Sequence, residues 1–373
     1  MKLLLIANDE TTIYNFRREI LRAFHAKGYE VTLCIPKGEH TKEIEECGCS
    51  IVNIDVNRHG TNPVQDLKFL KTCLRQIDVN KPDIVLTYTV KPNVYGSIAA
   101  QIKRILYINN VTGLGTILQS DSVLARLMLR LQKFAYRKSS CVFFQNEANY
   151  KALLNKGVVR KETTVEILPG SGVNLELHSF VPMRTDDGTV RFVIVSRIRE
   201  DKGYNEFFDA AEAVKAKYPN TEFHVIGWYE EEFYKKRIDD LVAKNIIVYH
   251  GKLVQEEVHK IIASCDCSVL PSYHEGMANV LLEAAATGRP VIASRVPGCQ
   301  ETFDEGISGY GCEVKNAESL QETMEKMILT PYAKRVEMGQ MGRRKMEKEF
   351  DRRFVADKYI YCIEKNNNEG EKE

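Results

Sequence analysis

Apolar residues follow two rhythms along this chain. Short continuous runs of β-branched and other apolar residues read as buried strands, and between them lie stretches of helical period. In the first half the runs are Leu3–Ala7, Val31–Ile35, Ile51–Ile54, Ile84–Tyr88, Tyr107–Val111, Cys141–Phe144 and Val165–Leu168. Helices are expected between them, among others over Asn15–Lys27, Val64–Val79 and Asn93–Arg104. The stretch Leu175–Gly188, with Pro182 and Asp186-Asp187-Gly188, has no period and reads as connection. A second series follows at Val190–Ser196, Glu222–Gly227, Ile246–Tyr249, Cys267–Leu270 and Val291–Ser294, with helices over Tyr204–Tyr218, Glu230–Ala243 and Asn279–Ala286. Alternation of this kind builds a parallel sheet wrapped by helices. The expectation is an α/β chain with two Rossmann-like domains, 1–180 and 189–346, joined by a linker over 181–188. One more helix is expected over 347–366 and a polar tail over 367–373. A ligand is expected where strand C-termini and helix N-termini meet.

Composition narrows the class. At 373 residues, 44% hydrophobic and 28% charged, the chain suits a soluble two-domain protein. No run approaches the ~18 apolar residues of a membrane span. The apolar start stops at Asn8-Asp9-Glu10, too short for a signal-peptide core. Ten cysteines include no CxxC pair, and the two CxC pairs, Cys47/Cys49 and Cys265/Cys267, lack partners at zinc spacing. Reduced thiols and a cytoplasmic location are therefore expected. The net charge of +1 hides a split. Residues 1–180 hold 24 Lys and Arg against 17 Asp and Glu, whereas the remainder holds 28 against 34. The basic first half points to an anionic partner. No basic run with interleaved aromatics appears, which disfavours nucleic acid and leaves a membrane surface or a diphosphate.

Two segments carry candidate chemistry. In Pro271-Ser272-Tyr273-His274-Glu275-Gly276-Met277-Ala278-Asn279 a buried strand ends and a helix begins, and Gly288 and Pro290 stop that helix. Gly276 allows close backbone approach, and the N–H groups of Met277 to Val280 are expected to point at an anion. Glu275 precedes the helix, and Glu283 lies one turn inside on the face of Asn279. Two carboxylates at different depths suit a ligand shaped sugar–diphosphate–ribose, although the same spacing also fits an exposed helix. The second segment, Ser196-Arg197-Ile198-Arg199-Glu200-Asp201-Lys202-Gly203, follows the first strand of the second series. A forked guanidinium at Arg197 and an ammonium at Lys202 can hold a diphosphate as charge builds on it, or can simply be solvated. No Asp-x-Asp occurs, so no metal–diphosphate arrangement of that type is expected, and neither metal nor cofactor is assigned. His274 is weighed as a local loop contact or a ligand contact. Gly170-Ser171-Gly172 lacks the pattern of a nucleophile elbow.

Glu275-x7-Glu283, Arg197 with Lys202-Gly203, and Val296-Pro297-Gly298-Cys299-Gln300-Glu301 together resemble the retaining GT-B glycosyltransferases of family 4. The resemblance spans nearly the whole chain. It implies two Rossmann-like domains facing across a cleft, with the last helix returning to the first domain. It also implies a nucleotide-sugar donor held mainly by the second domain. Glu283 would bind ribose hydroxyls, and Glu275 sugar hydroxyls together with Gly276, Met277, Ala278 and Asn279. Arg197 and Lys202 would clamp the diphosphate, and Lys252 and Leu253, after Gly251, would contact the base.

The first half resembles a narrower group that builds capsule, O-antigen or glycan precursors on undecaprenyl diphosphate. That likeness rests on Tyr14-Asn15-Phe16-Arg17, on Thr87-Tyr88-Thr89-Val90-Lys91-Pro92-Asn93-Val94-Tyr95-Gly96 and on Asn110-Val111-Thr112-Gly113-Leu114-Gly115. It implies a lipid-linked saccharide acceptor, with Arg17, Lys91, Asn93, Thr112 and Gly113 on the acceptor side. Two departures stand out. The first loop lacks the family's glycine pair, and Val111-Thr112-Gly113 stands where many members place a histidine. The helix expected over Ser122–Lys138 has Leu124, Leu127, Met128, Leu131 and Ala135 on one face and Arg126, Arg130, Lys133 and Arg137 on another. It reads as a core-facing helix or as a contact with the inner membrane surface. The expectation is a metal-independent retaining glycosyltransferase acting on a nucleotide sugar. A GT-B UDP-N-acetylglucosamine 2-epimerase and a non-catalytic nucleotide-sugar-binding protein are the alternatives.

Overall fold

In a computed structural model the chain divides into two units, Met1–Ser171 with Arg352–Glu373, and Gly172–Asp351. The described residues are 1–56, 62–114, 123–229 and 231–370, with the side chains of 123–124 and 368–370 left aside. Gly115, Ser122 and Glu230, named above, and residues 371–373 of the expected tail fall outside them.

The first unit is one parallel sheet. Its strands are β1 (Lys2–Ile6), β2 (Glu30–Ile35), β3 (Cys49–Asn53), β4 (Ile84–Tyr88), β5 (Leu106–Val111), β6 (Cys141–Phe144) and β7 (Val165–Ile167), in the order β3-β2-β1-β4-β5-β6-β7. Its helices are α1 (Glu10–Phe16), α2 (Arg18–Ala26), α3 (Thr41–Glu45), α4 (Pro63–Asn80), α5 (Val90–Lys103), α6 (Val123–Tyr136) and α7 (Glu147–Asn155). The helix expected over Asn15–Lys27 is broken. Arg17 leaves helical geometry (φ −131°, ψ −5°), and its N–H closes α1 on the carbonyl of Ile13. The fully buried β4 fits a parallel sheet covered on both faces.

The second unit repeats the plan with β8 (Val190–Val195), β9 (Thr221–Ile226), β10 (Val248–Gly251), β11 (Cys267–Leu270), β12 (Val291–Ser294) and β13 (Gly309–Cys312), in the order β10-β9-β8-β11-β12-β13. Around it lie α8 (Tyr204–Lys217), α9 (Glu232–Ala243), α10 (Gln255–Ser264), α11 (Asn279–Ala286), α12 (Ala317–Leu329) and α13 (Tyr332–Lys345). Strand β13 escapes the hydrophobic pattern because its edge is glycine. A Cβ at Gly309 would stand 2.4 Å from the Val291 carbonyl, so close strand packing excludes a side chain there. Both sheets reverse their order at one place, between β1 and β4 and between β8 and β11. Helices leave in opposite directions there and open a crevice at the strand C-termini.

The last helix, α14 (Arg352–Gly370), belongs to the first unit and starts at Arg352, after a break at Asp351, rather than at 347. Val355, Tyr359 and Ile363 are buried in one cluster with Leu3, Phe24, Tyr88 and Phe143. The Arg352 guanidinium donates to the Asn15 carbonyl at 3.0 Å and to Glu19 at 2.9 Å. In the second unit, the chain at 181–182 is held by a fully buried arginine. Arg289 donates to the carbonyls of Val181 at 2.8 Å and of Ala263, while burial pushes its guanidinium down to about 10. Buried carbonyls left without a donor cost roughly 1–3 kcal/mol each. Arg289→Ala is expected to destabilise the protein by about 3 kcal/mol or more. The readout is a lower denaturant midpoint with an unchanged slope.

Candidate functional site

The crevice between β8 and β11 gathers most of the expected donor-side residues. The turn after β8 carries Arg197 and then a single 3-10 turn, Glu200–Lys202. It is pinned to the turn after β11 through one carbonyl. Asp201 C=O accepts the Tyr273 N–H at 2.9 Å and the Ser272 hydroxyl at 3.1 Å. Gly203 has φ +73°, and a Cβ there would stand 2.1 Å from the Pro271 carbonyl. No larger residue permits that approach. The result is a contact the sequence left open: Lys202 Nζ lies 2.5 Å from Glu275 Oε1, with both side chains 15% exposed. A carboxylate and an ammonium in this setting attract strongly and keep one rim open to solvent. Arg197 is half-buried on the same turn.

The loop 275–278 is braced from behind. The Ala278 N–H donates to the Gly298 carbonyl at 2.8 Å, and the Gly298 N–H donates to Glu301 at 2.7 Å. With φ +86°, a Cβ at Gly298 would meet the Glu275 carbonyl at 2.6 Å. The motif Val296–Glu301 is thus the buttress of the Glu275 loop. This corrects one expectation. Of the N–H groups from Met277 to Val280, those of Ala278 and Asn279 already donate to Gly298 and Met277. Met277 and Ala278 bury their side chains in the core, so they shape the loop. Asn279 Oδ1, in the first turn of α11, is buried and meets no hydrogen-bond partner among the described residues.

Glu283 sits deeper, 13% exposed, with Oε1 3.8 Å from Nε2 of the buried His178. Gln255 Nε2 lies 3.4 Å from the same nitrogen, and the rings of His178 and His259 meet edge-on at 5.6 Å. His178 was missed because it lies in the aperiodic connection before β8, where no pattern marks a buried residue. Lys252 is exposed, with Nζ 5.5 Å from the centroid of the Trp228 ring, and Leu253 packs on the core under α10 and α11. His274 Nε2 lies 3.9 Å from Asp201.

Most acceptor-side residues of the first unit turn out to be engaged inside it. Lys91 Nζ pairs with Asp66 Oδ1 at 2.8 Å, joining α5 to α4. Asn93 is buried, accepting from the Thr87 hydroxyl at 2.6 Å and donating to the Asn110 carbonyl at 2.7 Å. Arg17 is 3% exposed, donates to the Phe16 carbonyl and lies 5.2 Å over the Tyr88 ring. Lys91 is thus closed by a carboxylate, whereas Arg17 Nε is buried and meets no hydrogen-bond partner among the described residues. Thr112 lines one small cavity with Arg17, Asn110, Gln145 and Tyr359, and Gly113 is half-buried beside it in sequence. An unforeseen feature is Thr89, held at φ +72°, ψ 169° with its hydroxyl buried and unpartnered among the described residues. Backbone of that kind costs about 1–3 kcal/mol and persists where its surroundings demand it. Among the described residues no group of three or more His, Cys, Asp or Glu is arranged to hold a metal, and no helix is long and apolar enough to cross a membrane.

Two family models match the chain: Glycosyl transferase 4-like over residues 2–146 and Glycosyl transferases group 1 over residues 180–345. A Campylobacter jejuni protein, N,N'-diacetylbacillosaminyl-diphospho-undecaprenol alpha-1,3-N-acetylgalactosaminyltransferase, is 25% identical over 349 residues, which is 88% of this chain and 89% of that protein. The capsular polysaccharide biosynthesis glycosyltransferase CapM of Staphylococcus aureus is 26% identical over 331 residues, 84% of this chain and 85% of its own length. Among solved structures, Anabaena HepE in complex with UDP and glucose superposes with a TM-score of 0.77 at 18% identity, covering 98% of this chain and all of that one (100%).

The second unit also predicts its own pH response. His224 Nδ1 and His250 Nε2 are 2.9 Å apart with stacked rings, and His224 Nε2 lies 3.4 Å from Glu222. Burial lowers the pKa of His224, His250 and His259 below the ordinary 6.5. The unfolded chain therefore binds more protons than the folded one below about pH 6.5, and stability falls as pH drops through that value. The denaturant midpoint is expected to be lower at pH 5.5 than at pH 7.5, with a smaller difference in His224→Gln. A midpoint that rises on acidification contradicts the burial of these rings as neutral groups.

Proposed function

For a chain that belongs to the GT-B glycosyltransferases of family 4, we propose a retaining, metal-independent transfer of a sugar from a UDP-linked donor to an acceptor hydroxyl. The Lys202–Glu275 pair at the β8/β11 crevice carries the reading. The bond from the anomeric carbon to the diphosphate oxygen breaks, and the acceptor oxygen bonds to the same face of that carbon. The leaving phosphate oxygen takes the acceptor's proton. Charge therefore grows on the diphosphate, and Arg197 and Lys202 offset it. Glu275, held by Lys202, receives sugar hydroxyls, and Glu283, beside His178, receives the ribose. Orientation and leaving-group stabilisation do the catalysis, with no enzyme nucleophile. The HepE complex with UDP supports the base, and the Campylobacter relative's name supports a polyprenyl-diphosphate-linked saccharide as acceptor. The first unit would hold that acceptor at Thr112 and Gly113 and at Arg17, which lines the same cavity as Thr112, while Lys91 is tied to Asp66.

The exposed face of α6 supports contact with an anionic lipid surface at the cytoplasmic side of a membrane. Ala125, Met128, Ala135 and Tyr136 are buried, whereas Leu127, expected on that core face, is 51% exposed and Phe134 is 43% exposed. Arg126, Arg130, Lys133, Arg137 and Lys138 share the outside, and residues 123–138 contain no acidic side chain. Apolar side chains set among cations are what anionic headgroups attract, at about 1 kcal/mol per basic group.

Incubation of UDP-, GDP- and ADP-sugars with and without lipid acceptor tests the function. Transfer is expected only with acceptor present, and conversion of UDP-sugar to its epimer without acceptor contradicts the reading. Arg197→Ala and Lys202→Ala are each expected to lower kcat about 100-fold, on the order of 3 kcal/mol. EDTA is expected to leave wild-type activity in place, and loss of activity with rescue by Mg²⁺ or Mn²⁺ contradicts metal independence. Charge reversal at Arg126, Arg130 and Lys133 is expected to weaken binding to anionic vesicles, most of all at low salt. Equal vesicle binding by the reversed variant removes the membrane contact from the account.

A further inference from the structure

Three turns at one edge of the second sheet are locked together, and the chain's single tryptophan stands in the middle one. The Ile198 N–H, next to Arg197, donates to the Trp228 carbonyl at 2.9 Å, and Ile198 bridges Tyr229. On the other side the Gly227 N–H donates to the Gly251 carbonyl at 2.8 Å, and the Tyr249 hydroxyl donates to the Gly227 carbonyl at 3.0 Å. Gly227 adopts φ +147°, and a Cβ there would stand 1.8 Å from the Ser196 carbonyl, so the middle turn touches the Arg197 turn directly. The backbone under Trp228 is fixed from both sides.

The indole itself is not used by the fold. Tyr229 packs against the core cluster beneath β8 and β9, whereas Trp228 stays 44% exposed outside it. Its described partner is a cation, the Lys252 ammonium at 5.5 Å from the ring centroid, a contact of the cation–π kind. A large rigid aromatic held on braced backbone, with a cation beside it, beside a turn bearing a diphosphate-type guanidinium, suits a flat, uncharged π-system attached to a diphosphate. We infer that Trp228 is the stacking platform for the nucleobase of the donor, with Lys252 steadying its ring. This rests on the nucleotide-sugar reading and adds to it a binding residue that the family motifs do not mark. Stacking recognises the face of a base rather than its edge, so the platform supplies affinity for the nucleoside and leaves the choice of base to the Lys252-Leu253 turn.

One tryptophan per chain makes the test direct. The full-length protein is titrated with UDP and, separately, with inorganic pyrophosphate, following both tryptophan fluorescence and heat. UDP is expected to quench the fluorescence saturably, and pyrophosphate to bind without that quench. By calorimetry Trp228→Phe is expected to bind UDP nearly as wild type does, and Trp228→Ala about tenfold more weakly, with pyrophosphate affinity unchanged in both. The inference is overturned if Trp228→Ala binds UDP as tightly as wild type, or if UDP binding seen by heat leaves the fluorescence unmoved. It is equally overturned if Trp228→Ala weakens pyrophosphate as much as UDP, since the residue would then only support the turn. If the wild type binds neither UDP nor ADP nor GDP, the nucleotide-sugar reading falls and takes this inference with it.

Discussion

The candidate site of the second unit is organised around one close contact, the ion pair of Lys202 with Glu275. These residues are far apart in sequence and meet only because β8 and β11 are neighbours in the sheet. The pair can form because two glycines let backbone approach backbone. Gly203 admits the Pro271 carbonyl, and Gly298 admits the Glu275 carbonyl. A side chain at either position would push one turn away from the other. The Asp201 carbonyl, which takes two donors from the opposite turn, holds the same juxtaposition from below. Local backbone freedom, sheet order and the charge pair are therefore one constraint seen at three levels. An ammonium held by a carboxylate at the mouth of a crevice would be oriented in advance for the diphosphate of the proposed donor.

Much of the fold was legible because buried parallel strands leave continuous apolar runs. β4, β6, β11 and β12 fall on their expected residues. Strand β13 was not legible, since Gly309-Tyr310-Gly311-Cys312 carries glycines demanded by close neighbours rather than by pattern. The helix break at Arg17 was hidden for another reason. Arg17 turns inward to Tyr88 and the α14 side of the sheet, a tertiary pull that overrides local helical preference. Lys91 and Asn93 are engaged within the same unit by contacts that local pattern does not show, Lys91 with Asp66 and Asn93 with Thr87 and Asn110.

The candidate site shows the complementary limit. Glu275 lies in the loop before α11 and Glu283 within that helix, as expected, but spacing could not show that Lys202 would close on Glu275 or that His178 would lie against Glu283. Those contacts are non-local, and one of the partners sits in a stretch without period. Trp228 was equally silent, because exposure of a single aromatic is visible only once the surrounding core is known. Helix α6 buries Met128 and Ala135 as expected and departs from the expected core face at Leu127. Leu127 belongs to the outside, which converts an amphipathic core helix into a basic face studded with apolar groups.

In the proposed reaction the protein holds the donor's leaving group while the acceptor bonds to the face the diphosphate leaves, so that the sugar keeps its configuration; this is the central claim. Glu275, in the loop before α11, is engaged by Lys202. The stereochemistry of the product tests that claim most directly. The glycosylated acceptor made from an α-linked UDP-sugar is isolated, and its anomeric proton coupling is read by NMR. The account predicts the small coupling of an α-glycoside from a gluco- or galacto-configured donor, the configuration of the donor kept. The large coupling of a β-glycoside, with the configuration inverted, would contradict it.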